Sequence, residues 1–309
     1  MKQNHRSICL KFSGLLFRAA VLTVSVATFA LNGALSGTCE ATDRHSVKGL
    51  YANGHKPQLI AHRNVDETRL KEKALQEVSE STEQIKASPT NWKLYYRRAC
   101  ALTTLVRYEE ALEDVDKAIK LDPKQVDLYL LHAKLCLNTL DDEAAAADYT
   151  KAIKLSPTNQ ASLLLLPRSH CYESMLKPDL ALADALGYLK GHPERYDNNI
   201  ARIVGCLYLK LGKGKEAVEH FSFCLKNNPN MSKVHEMRGD SYMLLNNYNA
   251  AAADYGLEIA RIPNFATKLY EKRGIAYRKA GQLKKAAEDE KKIKSVGHDV
   301  FEIAPFRNR

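Results

Sequence analysis

Residues 111–123 read ALEDVDKAIKLDP, and four further segments repeat the pattern: AAADYTKAIKLSP (145–157), ALADALGYLKGHP (181–193), AVEHFSFCLKNNP (217–229) and AAADYGLEIARIP (251–263). Each opens on alanine, carries apolar residues at helical spacing and ends on a proline, which cannot continue a helix. Together with Pro89 upstream, these prolines lie 34, 34, 36, 36 and 34 residues apart. A period of that length marks a repeat array. A second helical segment precedes each one: LYYRRACALTTL (94–105), LYLLHAKLCLNTL (128–140), LLLLPRSHCYESM (163–175), IARIVGCLYLKL (200–211) and VHEMRGDSYMLL (234–245). Short turns such as Leu211-Gly212-Lys213-Gly214 and Leu245-Asn246-Asn247-Tyr248 join the two. The unit is a helix–turn–helix pair. With only 15 glycines and 10 prolines among 309 residues, turn-rich all-β and collagen-like chains are excluded, and 45% apolar against 27% charged residues excludes wholesale disorder.

These units resemble the tetratricopeptide repeat (TPR), whose pattern asks for small residues at positions 8, 20 and 27, large ones at 11 and 24, and a closing proline. Counted from Trp92, the first repeat supplies Ala99, Leu102, Ala111, Val115, Ala118 and Pro123; from Val126, the second supplies Ala133, Cys136, Ala145, Tyr149, Ala152 and Pro157. From Asn198, the fourth has Gly205, Tyr208, Ala217, Phe221, Cys224 and Pro229. The fifth, from Ser232, has Gly239, Tyr242, Ala251, Tyr255 and Pro263, with Glu258 where a small residue belongs. The third, from Ser162, fits least well, and the sixth, from Thr267, lacks the final proline. The resemblance covers 92–297 and implies an all-α fold, an α-solenoid of about six TPR helix–turn–helix repeats in a right-handed superhelix. No pair can bury its apolar face alone, so stacking builds the core. Pro167 lies inside the first helix of the third repeat and is expected to delay or kink it.

Upstream, 68–91 reads as a polar-faced capping helix in register with the array, 42–67 as a linker, and 298–309 as a tail. Within 1–41, Lys2, Arg6, Lys11 and Arg18 precede an uncharged run from Ala19 to Cys39. A basic flank, an apolar stretch and small residues beyond it make up a secretory signal, with cleavage expected after Ser36 or Ala41. An uncleaved signal anchor and an organellar transit peptide are the alternatives, and Leu35-Ser36-Gly37-Thr38-Cys39 comes near a lipoprotein box but departs from it at Thr38 and Leu35. Either a signal or an anchor places the remainder on the exported side, as a secreted, periplasmic or membrane-tethered chain. The net charge of +10 divides accordingly: 1–41 contribute +3 and the sixth repeat +6. It therefore argues for an address at one end and a basic cap at the other, and not for nucleic-acid binding. That cap is solvated or touches an anionic surface; membrane contact is otherwise expected only through an uncleaved leader.

No catalytic residues, metal site or cofactor site are expected. Gly212-Lys213-Gly214-Lys215 lacks the spacing of a phosphate loop and falls on a turn. CxxC and HExxH are absent, and the acidic pairs Glu109-Glu110 and Asp141-Asp142 open second helices, where they suit the helix N-terminus. His170 and Cys206 are expected to be neighbours at position 9 of successive repeats, but two soft ligands fall short of the usual four. Most cysteines read as small buried hydrophobes.

The resemblance implies a concave groove lined by positions 2, 5, 9, 12 and 13 of the first helices. The groove candidates are Tyr96, Leu130, Leu166, Arg202 and Glu236 at position 5, with Lys134, His170 and Asp240 at position 9. The carboxylate clamp of the chaperone-binding branch is absent, because its slots hold Tyr96, Cys100, Lys134, Leu166 and His170. The expected function is a non-catalytic protein–protein interaction scaffold. It would take a protein or peptide segment with apolar anchors in the first half of the groove and a basic group facing Glu236 and Asp240. The alternative is a structural or assembly component of an envelope or organellar complex, self-associating through its terminal repeats.

Overall fold

The computed structural model describes residues 56–263 and 266–299; the leader and the tail beyond Asp299 lie outside the described residues. Among the described residues there is no strand, and the helices come in antiparallel pairs at the expected period. A long helix α1 (Lys56–Ala87) precedes the pairs α2 (Trp92–Thr104) with α3 (Tyr108–Leu121) and α4 (Val126–Asn138) with α5 (Asp142–Leu155). The third pair is α6 (Thr158–Ala161), a 3-10 turn (Ser162–Leu164) and α7 (Leu165–Ser174), followed by α8 (Pro178–Gly191). The remaining pairs are α9 (Asn198–Lys210) with α10 (Gly214–Asn227), α11 (Val234–Leu244) with α12 (Tyr248–Arg261), and α13 (Thr267–Lys279) with α14 (Leu283–Asp299). The protein is an all-α solenoid of helix–turn–helix repeats.

Small residues sit where two helices must touch. Ala99, Ala111, Ala133, Ala145 and Ala217 are fully buried. A Cβ on Gly205 would stand 2.8 Å from the Phe221 ring, and one on Gly239 would stand 2.7 Å from the Tyr255 ring. The aromatic side chain of the second helix thus lies on the bare backbone of the first, which is why the small residue is required. Between repeats, Leu128, Leu135, Val204, Leu207 and Val234 are fully buried and carry the stacking interface. At about 25 cal/mol per Å² of apolar area, these layers are the main source of stability.

Six turns close in one way. Val106, Leu140, Leu176, Gly212, Asn246 and Gly281 each have φ between 57° and 74°, the left-handed region. The next residue's N–H then bonds back to the carbonyl five residues earlier, as Arg107 does to Leu102 at 3.0 Å and Gln282 to Tyr277 at 2.8 Å. This is the Schellman closure, for which glycine and asparagine are the economical residues. Repeats 1–3 use Val106, Leu140 and Leu176 instead, all largely exposed.

Helix α1 begins at Lys56, so residues 56–67, read from sequence as linker, are helical. Pro57 falls in its first turn, where its missing N–H is not needed, and nothing from Gln58 to Ala87 is glycine or proline to stop the helix. Its later part docks on the first repeat through buried Ala74 and Ser81. Pro167 delays its helix as expected. The chain runs as a 3-10 turn over Ser162–Leu164, and regular α geometry begins at Leu165, with Pro167 in the first turn. Its ring would otherwise collide with the carbonyl of Leu163. No helix among the described residues is long and apolar enough to cross a membrane.

Candidate functional site: the face of the first helices

Side-chain contacts between successive repeats place the first helices next to one another. Lys210 of α9 reaches Glu173 of α7 at 2.6 Å, and the Cys206 thiol of α9 points at Met237 of α11 at 3.2 Å. Lys272 of α13 bonds Glu236 and Asp240 of α11, both at 2.7 Å. On α7, α9, α11 and α13, positions 5, 9 and 12, reached from the neighbouring repeat by positions 6 and 13, therefore lie side by side, and Tyr96, Leu130 and Lys134 hold the equivalent positions of α2 and α4.

At the N-terminal end of this face, Tyr96 is half-buried and meets Trp92 edge-on, with ring centroids 6.3 Å apart. Leu130 and Leu166 are half-buried, each packed by one side on a core cluster and open on the other. Lys134 is exposed beside Leu130, one turn further along α4. Arg202 is half-buried and close enough to act on both His170 and Cys206. The two therefore share charged neighbours, but burial pushes the His170 imidazole below its usual range and raises the Cys206 thiol to about 11. A thiol held protonated is not a nucleophile at neutral pH.

The C-terminal end differs from expectation. Glu236 and Asp240 do not stand open for a ligand's cation, because Lys272 Nζ lies between them. Asp240 also accepts from the Tyr255 hydroxyl at 2.7 Å. Two acids and one internal ammonium leave a single net negative charge, and an incoming basic group competes with Lys272. Sequence reasoning missed this because Lys272 falls one place away from the positions assigned to the groove.

It also missed a ladder of buried ion pairs. Position 7 of a first helix carries an arginine whose guanidinium grips an aspartate at position 23 of its own second helix. The pairs are Arg98–Asp114 (2.6 Å), Arg168–Asp184 (2.7 Å), Arg238–Asp254 (2.8 Å) and Arg273–Asp289 (2.6 Å). The arginine also reaches back to the preceding helix, as in Arg98 to Thr82 (3.0 Å), Arg168 to Thr150 (2.9 Å) and Arg238 to Ser222 (3.2 Å). Each arginine ties its own pair together, and Arg98, Arg168 and Arg238 also tie the pair to its predecessor. The second repeat fills the position with His132, 2.5 Å from Asp148, and that carboxylate first, then Cys136, raises the imidazole to about 10. The fourth repeat has buried Val204 instead, and its position 23 holds His220, stacked on Tyr208 and accepting from or donating to the Tyr196 hydroxyl at 2.6 Å. The signal was present in the sequence as a 16-residue spacing, visible once the repeats are aligned on their prolines.

Among known proteins, a sequence model of the tetratricopeptide repeat matches residues 93–125 and 126–159, and a second tetratricopeptide-repeat model matches 205–267. A search of curated proteins matches none to the chain. Among solved structures, YrrB, described as a TPR protein with an unusual peptide-binding site, is 20% identical. It superposes with a TM-score of 0.54 over 62% of this chain and 97% of its own. MamA is 19% identical with a TM-score of 0.51, over 58% of this chain and 97% of its own. A MamA fragment from Desulfovibrio magneticus RS-1 gives 16% and 0.51, with 58% and 97% covered. Tetratricopeptide-repeat models thus cover α2–α5 and most of α9–α12 in sequence, and the remaining helix pairs share their fold and period.

Proposed function

We propose that this protein is a non-catalytic interaction scaffold that holds a peptide or protein segment along the concave face formed by α2, α4, α7 and α9. The observation that carries this is the gradient along that face. Half-buried Tyr96, Leu130 and Leu166 offer apolar footholds, with Lys134 beside Leu130 and Arg202 beyond Leu166. None of the ion pairs among the described residues engages either cation, whereas the acids further on are held by Lys272. The bound segment therefore carries apolar side chains followed by an acidic group, and it gains little from a basic one. The peptide-binding site ascribed to YrrB is in keeping with this reading. Burial holds the Cys206 thiol protonated, and Lys272 occupies Glu236 and Asp240.

The test is a random-peptide display selection against the folded chain, followed by fluorescence anisotropy on the selected peptides. Arg202→Glu and Leu130→Lys are each expected to weaken binding about tenfold or more, equivalent to ~1.4 kcal/mol. Unchanged affinity in both variants would remove the proposal. We further propose that the chain is exported or membrane-tethered, on the strength of the basic flank and the uncharged run from Ala19 to Cys39. Mass spectrometry of the mature N-terminus in exported or membrane fractions tests this. A chain retaining Met1 and found only in the soluble interior fraction contradicts it.

A further inference from the structure

The second repeat departs from the ladder at two positions at once. In repeats 3, 5 and 6 the arginine at position 7 lies over a tyrosine one turn later: Arg168 over Tyr172 at 5.6 Å, Arg238 over Tyr242 at 5.9 Å and Arg273 over Tyr277 at 5.7 Å. The second repeat replaces arginine by His132 and the tyrosine position by Cys136, yet keeps the aspartate, Asp148. Two large side chains give way to two metal-binding ones, in the same turn of α4, facing the same buried carboxylate of α5.

The geometry that results is compact. His132 Nδ1 stands 2.5 Å from Asp148 Oδ2 and 3.4 Å from Cys136 Sγ, and the three ligand atoms lie within 4.8 Å of one another. An imidazole nitrogen, a thiolate sulfur and a carboxylate oxygen are the donors that borderline-soft divalent ions take. Around a tetrahedral ion with bonds of about 2.1 Å to nitrogen and oxygen and about 2.3 Å to sulfur, donor atoms stand roughly 3.3–3.7 Å apart. The nitrogen–sulfur separation already fits, and Asp148 has to retreat by less than about 1 Å. On the far side of the ring, Asp116 Oδ1 of α3 lies 3.5 Å from Nε2. A carboxylate behind a ligating histidine fixes its tautomer and orientation. Cys136 and Asp148 are buried, while His132 is partly open and the Asp116 side chain is 58% exposed, which marks the approach from solvent.

We propose that His132, Cys136 and Asp148 form a binding site for one borderline-soft divalent cation, Zn2+ in the first instance, with water as the fourth ligand. On binding, the ion takes the place of the proton shared by His132 and Asp148 and of the Cys136 thiol proton, both of which leave to solvent. The bound ion ties α4 to α5 where repeats 1, 3, 5 and 6 use arginine, so that it acts as a clamp on one pair of the array.

The full chain, kept reduced, is titrated with Co2+ as the spectroscopic probe and then with Zn2+ in competition. The proposal expects a saturable one-to-one response with a thiolate-to-cobalt charge-transfer band and the visible bands of a four-coordinate ion, displaced by Zn2+. Cys136→Ala abolishes the charge-transfer band. His132→Arg restores the residue of repeats 1, 3, 5 and 6, so it is expected to fold with an unchanged circular dichroism spectrum and to bind Co2+ at least tenfold more weakly. Cys206→Ala is expected to leave the bands intact. Excess Zn2+ raises the Tm of the wild type and not that of His132→Arg. Absence of any band in the wild type, or bands that survive both Cys136→Ala and His132→Arg, overturns the proposal and leaves His132–Asp148 a plain ion pair. Should His132→Arg fail to fold, Cys136→Ala, which places a small residue in a buried slot, decides alone.

Discussion

Asp254 accepts from both Arg238 Nε and Nη2 at 2.8 Å and from His235 Nδ1 at 3.2 Å, with almost no surface exposed. Removing one partner of such a pair strands a charge, whereas removing both leaves an apolar contact. Asp254→Ala is therefore expected to cost about 3 kcal/mol in urea unfolding, and the double variant Arg238→Met with Asp254→Leu to lie much closer to the wild type. An equal loss in both would show that the ladder contributes packing alone. His220 gives a pH dependence. Burial lowers its imidazole below the unfolded value near 6.5, so the unfolded chain takes up the proton first. The folded state is favoured above about pH 6.5 and loses that contribution as pH falls below it; His170, also lowered by burial, acts in the same direction. His220→Phe is expected to shrink the drop in Tm between pH 7 and 5, and an unchanged drop would contradict the assignment. At this scale little was legible beforehand. An arginine and an aspartate 16 residues apart look like two solvated charges until a turn folds one helix back on the other. Glu258 was seen as a misfit, yet it is fully buried, pairs with Arg261 and accepts from the Lys233 N–H at 3.2 Å, so that it caps α11 from the neighbouring helix.

Helices begin and end where local chemistry dictates. Asp197 accepts from the N–H groups of Asn199 and Ile200, Asp141 from Ala144 and Asn247 from Ala250, so α9, α5 and α12 each start on a short polar side chain. Pro167 is tolerated because its helix restarts at Leu165, within one turn of it. Pro167→Ala is therefore expected to change stability by no more than about 1 kcal/mol. The same proline at the equivalent position of the second repeat, Leu131→Pro, lies in the interior of α4 and is expected to cost about 3 kcal/mol or more, read by thermal unfolding. Similar effects from the two changes would mean that the 3-10 turn has another cause. The closing prolines and the Gly212 and Asn246 turns were readable because few residues can occupy those conformations. The turns at Val106, Leu140 and Leu176 were not, since a branched or bulky residue with positive φ runs against local preference and is held by the Schellman bonds around it.

At the scale of the whole molecule, each repeat contacts its neighbours, so the period of 34 to 36 residues written by the prolines carries most of the architecture. The helix-pair period follows from that spacing, and the solenoid fold from the resemblance built on it. The length of α1 does not, because a polar helix leaves no periodic apolar signal over residues 56–67. The face of the first helices was legible as a row of positions and illegible in its charge, since Lys272 reaches Glu236 and Asp240 from the next repeat. That face is the central claim, and hydrogen–deuterium exchange of the full chain with and without a selected peptide tests it most directly. The expected result is added protection along Trp92–Thr104, Val126–Asn138, Leu165–Ser174 and Asn198–Lys210, with Tyr108–Leu121, Asp142–Leu155 and Gly214–Asn227 unchanged. Protection confined to those second helices, with the first helices unaffected, would contradict it.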